Sequence, residues 1–196
     1  MGEPSGFKIA DFGWEPEDMP GPTTGKMYCQ VTIHWQDPRL WRKGEIAPID
    51  GIDTPSGAVY ALIRDHGNAI QTNNIQYIGK TEALDTRFNN HQKALEIVET
   101  NGDTSLSIGV IEFAEYHRTD DISHDLEEIE HILIWALNPP LNEKKNETLP
   151  CRGVNGGKPM LLINDGYRFS GRMPLEIVYP WMLIKPGRDH SYKTTM

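Results

Sequence analysis

The spacing of apolar and polar residues changes several times along the chain, and each change marks an element. From Tyr28 to Trp35 (YCQVTIHW) every second position is apolar, the mark of a half-buried strand. Residues 36–56 lose that rhythm among prolines and glycines and read as a loop-rich connection. GAVYALI (57–63) predicts a strand, residues 64–74 a turn-bearing link, and IQYIG (75–79) the other arm of a hairpin. Thr81 is a suitable N-cap for a helix running to about Val98, which Asn101-Gly102-Asp103 ends. SLSIGVIEFAEY (105–116) predicts a long strand. Ser123 is placed to cap a second helix reaching about Leu137, where Asn138-Pro139-Pro140 stops it. PMLLIND (159–165) and LEIVYPWMLI (175–184) are two further strand-like segments. The order ββαβα with extensions predicts an α+β fold, a small antiparallel sheet flanked by helices. It divides the chain into an N-terminal arm and strand-bearing extension (1–56), a core (57–146) and a β-rich C-terminal extension (147–196). Within the first part, residues 1–26 are rich in Pro, Gly and acid and read as an irregular arm.

Composition narrows the classes of function. The chain has 196 residues, of which 38% are hydrophobic, enough for one packed domain with extensions. No apolar run approaches the roughly 20 residues of a membrane span, and no secretory signal is visible, so a cytoplasmic protein without membrane contact is expected. The two cysteines, Cys29 and Cys151, make no disulfide framework. The net charge of −9 argues against a protein that coats nucleic acid. The charge is uneven, however: −4 over residues 1–56, −8 over 57–146 and +3 over 147–196. Only the last quarter is basic.

Gly79-Lys80-Thr81 after a strand suggests a phosphate cradle. The G-x-x-x-x-G-K-[ST] loop needs its first glycine at position 74, which is Asn74, and the strand itself fills the intervening residues. A nucleotide cradle is therefore excluded. More telling are polar residues on apolar faces. Projected as one helix, residues 81–98 place Arg87 and His91, four apart, inside the arc of Ala83, Leu84, Phe88, Ala94, Leu95 and Val98. In the second helix Glu130 sits inside the arc of Leu126, Ile129, Ile132, Leu133, Ala136 and Leu137, while Glu127, Glu128 and His131 point elsewhere. A carboxylate in an apolar arc is costly unless paired or bound to a cation. Two readings follow: a buried Arg87–Glu130 salt bridge with His91 nearby, or a polar site lined by both helices and the strand that carries Tyr77.

The constellation resembles the GIY-YIG nuclease family. Tyr77-Ile78-Gly79 matches the second family motif, and Ala58-Val59-Tyr60 the first, with Ala58 where the family has glycine. Lys80, Arg87, His91, Glu130 and Asn142, the last in Asn138-Pro139-Pro140-Leu141-Asn142, follow in family order. The resemblance covers roughly residues 57–146, under half the chain. It implies hydrolysis of a phosphodiester in nucleic acid, chiefly double-stranded DNA. Glu130 would be the sole protein ligand of a divalent ion, Mg²⁺ or Mn²⁺, which keeps several waters of its own. Arg87 would offer a planar fork to the phosphate. Tyr77 is the expected activator of water, its phenolate favoured by Lys80 or Arg87. His91 would assist a tyrosine or relay the proton, Tyr60 would orient water or phosphate, and Asn142 would position Glu130 or the backbone of the turn. Tyr77, Tyr60 and His91 remain alternatives for the general base.

Phosphate contacts come from Lys and Arg. Arg152, Lys158, Arg168, Arg172, Lys185 and Arg188 in the basic C-terminal part are candidates for a nucleic-acid groove, or ordinary surface charge. Trp35, Arg39, Trp41, Arg42 and Lys43 offer either a second contact or a staple of the arm onto the core. A homodimer or a partner protein is compatible with the sequence. Two other functions compete: a non-catalytic module that binds nucleic acid or protein, and an RNA-directed or toxin-like nuclease.

Overall fold

The computed structural model describes residues 29–65, 73–89, 91–100, 102–114, 119–146, 148, 150, 160–179 and 183–185. The predicted arm at 1–26 lies outside them. The strands are β1 (Cys29–Trp35), β2 (Arg39–Trp41), β3 (Ala58–Asp65), β4 (Asn74–Thr81), β5 (Asp103–Phe113), β6 (Met160–Gly166), β7 (Glu176–Tyr179) and β8 (Leu183–Lys185). The helices are α1 (Leu84–Arg87), α2 (Gln92–Glu99) and α3 (Thr119–Leu137). All eight strands join one sheet of order β4-β3-β5-β1-β6-β7-β8, with β2 paired to β5. Every pairing is antiparallel except β1 with β6. The mixed α and β content agrees with the α+β expectation.

The 36–56 connection holds a strand that its composition hides. β1 and β2 run along the same edge of β5, β1 opposite Gly109–Phe113 and β2 opposite Thr104–Leu106. Pro38 lies between them, at a point where the ladder can spare a donor. The segment 175–184 is not one strand but two, β7 and β8, paired with each other on either side of residues 180–182.

The two faces of the sheet bury different clusters. On one, α3 places Leu126, Ile129, Ile132 and Leu133 against Val31 and Ile33 of β1, Val59 and Ala61 of β3, Met160 and Leu162 of β6, and Ile177 of β7. On the other, Leu84, Phe88, Ala94, Ile97 and Val98 cover Ala58, Tyr60 and Leu62 of β3 and Leu106 and Ile108 of β5, with Trp41 alongside. The strand period of two sends neighbouring residues of β3 to opposite clusters.

The helix predicted over 81–98 is broken. Thr81 ends β4 and does not cap a helix; its Oγ1 accepts from the Ala83 amide at 3.1 Å in a local turn. α1 stops at Arg87, and α2 restarts after His91, whose ring accepts the Ala94 amide as an N-cap. Asn89 lies at the break, a residue type that favours caps and turns over helix interior. α3 begins at Thr119, one turn before the predicted Ser123. It ends at Leu137 as predicted, closed by an Asn138 amide bond to the Ile134 carbonyl, with Asn138 at φ 47°. Glu128, expected outside the apolar arc, is buried, with His124 Nε2 3.5 Å from its Oε1.

Candidate active site

The site grows from a hairpin irregularity. β3 and β4 pair Tyr60 with Gly79 and Leu62 with Tyr77, then shift by one so that Ile63 faces Ile75. Gln76 is the extra residue, a bulge directly beside Tyr77; bulges bend a strand and re-aim its side chains. The freed Gln76 carbonyl accepts from the Leu141 amide at 2.9 Å. One residue on, Asn142 grips β4 from outside: Oδ1 accepts the Ile78 amide at 2.9 Å and Nδ2 donates to the Ile78 carbonyl at 2.8 Å. Asn142 thus completes the edge of the sheet between Tyr77 and Gly79. Asn142→Ala strands both Ile78 groups and is expected to cost about 1–2 kcal/mol, since an edge admits some compensating water. Urea titration of the two proteins reads this directly.

Tyr60 is the hub. It is fully buried, and its ring meets Phe88 edge-on at 5.0 Å and His91 at 5.7 Å. Its hydroxyl receives Arg87 Nε at 3.2 Å and Arg87 Nη2 at 3.1 Å, and is hydrogen-bonded to His91 Nε2. The other His91 nitrogen, Nδ1, accepts the Ala94 amide at 3.1 Å, so the ring proton of a neutral His91 belongs on Nε2, pointing at Tyr60. Burial, reinforced by the Arg87 charge, lowers the His91 pKa to about 4, which keeps the ring neutral at neutral pH. Burial, and then the neighbouring Tyr77, raise the Tyr60 pKa far above its ordinary value. Tyr60 therefore keeps its proton at neutral pH, with Tyr77 as its neighbour.

Tyr77 is half-buried, its ring 6.3 Å from that of Tyr60 and 5.9 Å from His91. Burial and then the charge of Glu130 raise its pKa; Arg87 and the Tyr60 hydrogen bond pull it back by less. Arg87 and His91 meet as expected, although for a different reason. They do not stack on one continuous helix; the break between α1 and α2 turns both toward one oxygen.

Glu130 projects from α3, and its side chain is 11% exposed. Its partner is not Arg87, as the salt-bridge reading required, but Lys145, whose Nζ lies 2.5 Å from Glu130 Oε2. Lys145 also pairs with Glu127, and Lys80 reaches Glu127 Oε2 at 3.1 Å and the Ser123 carbonyl at 3.3 Å. Lys80 leaves the opposite face of β4 from Tyr77, so its ammonium sits among α3 carboxylates. Burial opposes ionisation of Glu127, but its bonds to Lys145 and Lys80 win and hold its pKa below the usual carboxylate value. Lys145 was not legible in advance. The adjacent pair Glu127 and Glu130, three apart on a helix, was the available sign that a cation would be needed.

Among the described residues, no group of three or more His, Cys, Asp or Glu side chains could hold a metal. That excludes a zinc-type protein cage there. One buried carboxylate suits Mg²⁺ or Mn²⁺, which retain waters and take few protein ligands.

The remaining candidates lie elsewhere. Arg152, Lys158 and Arg188 are outside the described residues, and Lys185 is placed by its backbone on β8. Arg168 and Arg172 flank the 3-10 turn Phe169–Gly171, which meets the start of β4 through Asn73 Nδ2 and Ser170 Oγ at 2.7 Å, away from the Tyr60 hub. Trp35 and Trp41 are buried, and Arg39 donates to the Asp50 carbonyl at 2.7 Å. The two tryptophans and the Arg39 bond tie the segment to the core, while Arg39, Arg42 and Lys43 are exposed. Among the described residues no helix is long and apolar enough to cross a membrane.

No protein-family model, curated protein or solved structure matches the chain.

Proposed function

We propose that this protein is a metal-dependent endonuclease of the GIY-YIG type, with residues 57–146 as its catalytic core and double-stranded DNA as its substrate. The observation that carries the reading is the Tyr60 hydroxyl, which receives Arg87 and His91 and lies beside Tyr77, whose ionisation is opposed by the charge of Glu130. An ordinary core tyrosine needs one partner. Two polar side chains converging on one buried hydroxyl beside a second tyrosine, next to a carboxylate on a separate helix, suit proton transfer at a charged substrate.

Tyr77, having first released its own proton to solvent, takes the proton from the attacking water as the phenolate. It is the more exposed tyrosine, and the Tyr60 O–H stabilises the phenolate that ionisation creates. Tyr60 is held as a donor by its own raised pKa, and Arg87 and His91 keep its oxygen fully engaged. Arg87 Nη1 takes no part in the two bonds to Tyr60 and is the nitrogen offered to a phosphate oxygen. Glu130 is the residue that would hold Mg²⁺ or Mn²⁺. When bound, the ion supplies charge at the leaving oxygen and cancels the carboxylate charge that opposes ionisation of Tyr77.

Nicking of supercoiled plasmid DNA in Mg²⁺, abolished by EDTA and restored by added Mg²⁺ or Mn²⁺, is the expected result. Activity that survives EDTA overturns the metal assignment. Cleavage of RNA alone replaces the substrate, and no cleavage of either polymer leaves a binding module.

A further inference from the structure

Four charged side chains alternate along one side of α3: Lys80, Glu127, Lys145 and Glu130. Lys145 is the unusual member. It touches both carboxylates, its side chain is only 22% exposed, and it adopts φ 72°, a left-handed conformation that non-glycine residues rarely take. A long, flexible lysine has no local reason to accept that conformation. The turn that imposes it is tied down: the Asn146 side-chain nitrogen Nδ2 donates to the backbone carbonyl of Asn142, the residue that grips β4. The ammonium is thus delivered to Glu130 by the same short segment that braces the strand of Tyr77.

We propose that Lys145 is the resident counter-ion of Glu130, occupying the carboxylate face that a divalent cation must use and yielding it to the ion by withdrawing onto Glu127. The inference rests on the reading of Glu130 as a metal ligand. A buried carboxylate left alone is strongly unfavourable, so some cation must sit there while no ion is bound. Glu127 is the second berth. Its side chain is 49% exposed, it already contacts Lys145, and Lys80 shares it from the other side. Lys145 therefore keeps an anionic partner in either position, and the exchange leaves no buried charge uncompensated. In this arrangement Lys145 is a positioning residue that sets metal affinity, making the site bind its ion weakly.

The test measures Mn²⁺ binding to the full chain by calorimetry and electron paramagnetic resonance, with thermal melting in parallel. The variants are Lys145→Met, Lys145→Arg and Glu130→Gln. Lys145→Met should bind Mn²⁺ at least about tenfold more tightly than the natural protein, as expected for loss of one competing charged hydrogen bond. Its melting temperature should rise more steeply with Mn²⁺ than that of the natural protein. Lys145→Arg keeps the competing charge and should remain weak. Glu130→Gln should lose the site in either background. If Mn²⁺ binds through Glu130 with equal or lower affinity in Lys145→Met, the inference fails while the metal assignment stands. If no protein shows binding that depends on Glu130, both fail. Should Lys145→Met fold poorly in the absence of metal, the comparison between Lys145→Arg and Lys145→Gln decides by the same criterion.

Discussion

Glu130→Ala is expected to lower single-turnover cleavage of DNA by about a thousandfold or more, because metal stabilisation of the transition state is worth several kcal/mol and each 1.36 kcal/mol is tenfold. The fold should survive. Glu130 lies on the flank of α3 beside the Leu126, Ile129, Ile132 and Leu133 cluster and not at its centre, and Lys145 retains Glu127 as an ion partner. No buried charge is orphaned by the change. Circular dichroism and the melting temperature should therefore stay close to those of the natural protein while the rate collapses. Cleavage at an undiminished rate would remove Glu130 from the mechanism. Loss of rate accompanied by loss of the folded state would make its role structural.

The second large effect is at Gly79. Its backbone faces Tyr60, and a Cβ built there would lie within 3.0 Å of the Tyr60 hydroxyl oxygen, Cζ and Cε2. This glycine is needed for room and not for an unusual φ. Gly79→Ala must push aside a ring that is fully buried and held by Arg87, His91 and Phe88. Overpacking of a filled core costs about 1–3 kcal/mol, and here the displaced group is also the hub of the hydrogen-bond chain. Chemical denaturation should show destabilisation near the upper end of that range. Cleavage should fall by about a hundredfold or more, as for loss of one positioned proton-transfer group. A variant with natural stability and rate would show that Tyr60 does not need its present position.

Most strands of the sheet were legible: β1 from its alternation, and β3, β4, β5 and β6 as apolar or β-rich runs bounded by turn residues. β2 was not, since three residues between Pro38 and Gly44 carry too little pattern, and its existence depends on the free edge of β5. The helix over 81–98 was misread as continuous because Arg87 and His91 are four apart and fit one wheel. The break depends on His91 capping α2 with its own ring, which a wheel does not represent. At the site, Tyr60, Arg87 and His91 were legible as polar residues on apolar faces, and the structure brings them to one oxygen. Lys80 was expected beside Tyr77; strand geometry sends it to the other face, onto Glu127. Lys145 could not be read from Asn-Glu-Lys-Lys-Asn (142–146), because its position comes from a backbone conformation and not from periodicity. The parallel pairing of β1 with β6 was likewise invisible: register between distant strands is set by the whole core.

That last pairing governs how the chain can assemble. β1 lies between β5 and β6, and the Trp35 indole donates to Asn164, 129 residues further along, at 2.9 Å. Of the described strands β1 is made first, β5 follows near mid-chain and β6 begins only at residue 160. β1 can pair with β5 once residues 103–113 are available, but its other edge stays open until β6 (Met160–Gly166) is made. Contacts this distant in sequence raise the contact order and slow the search for the native state. A protein built this way stays vulnerable to aggregation until its C-terminal strands emerge, and a version truncated before β6 would leave its central strand with an open edge.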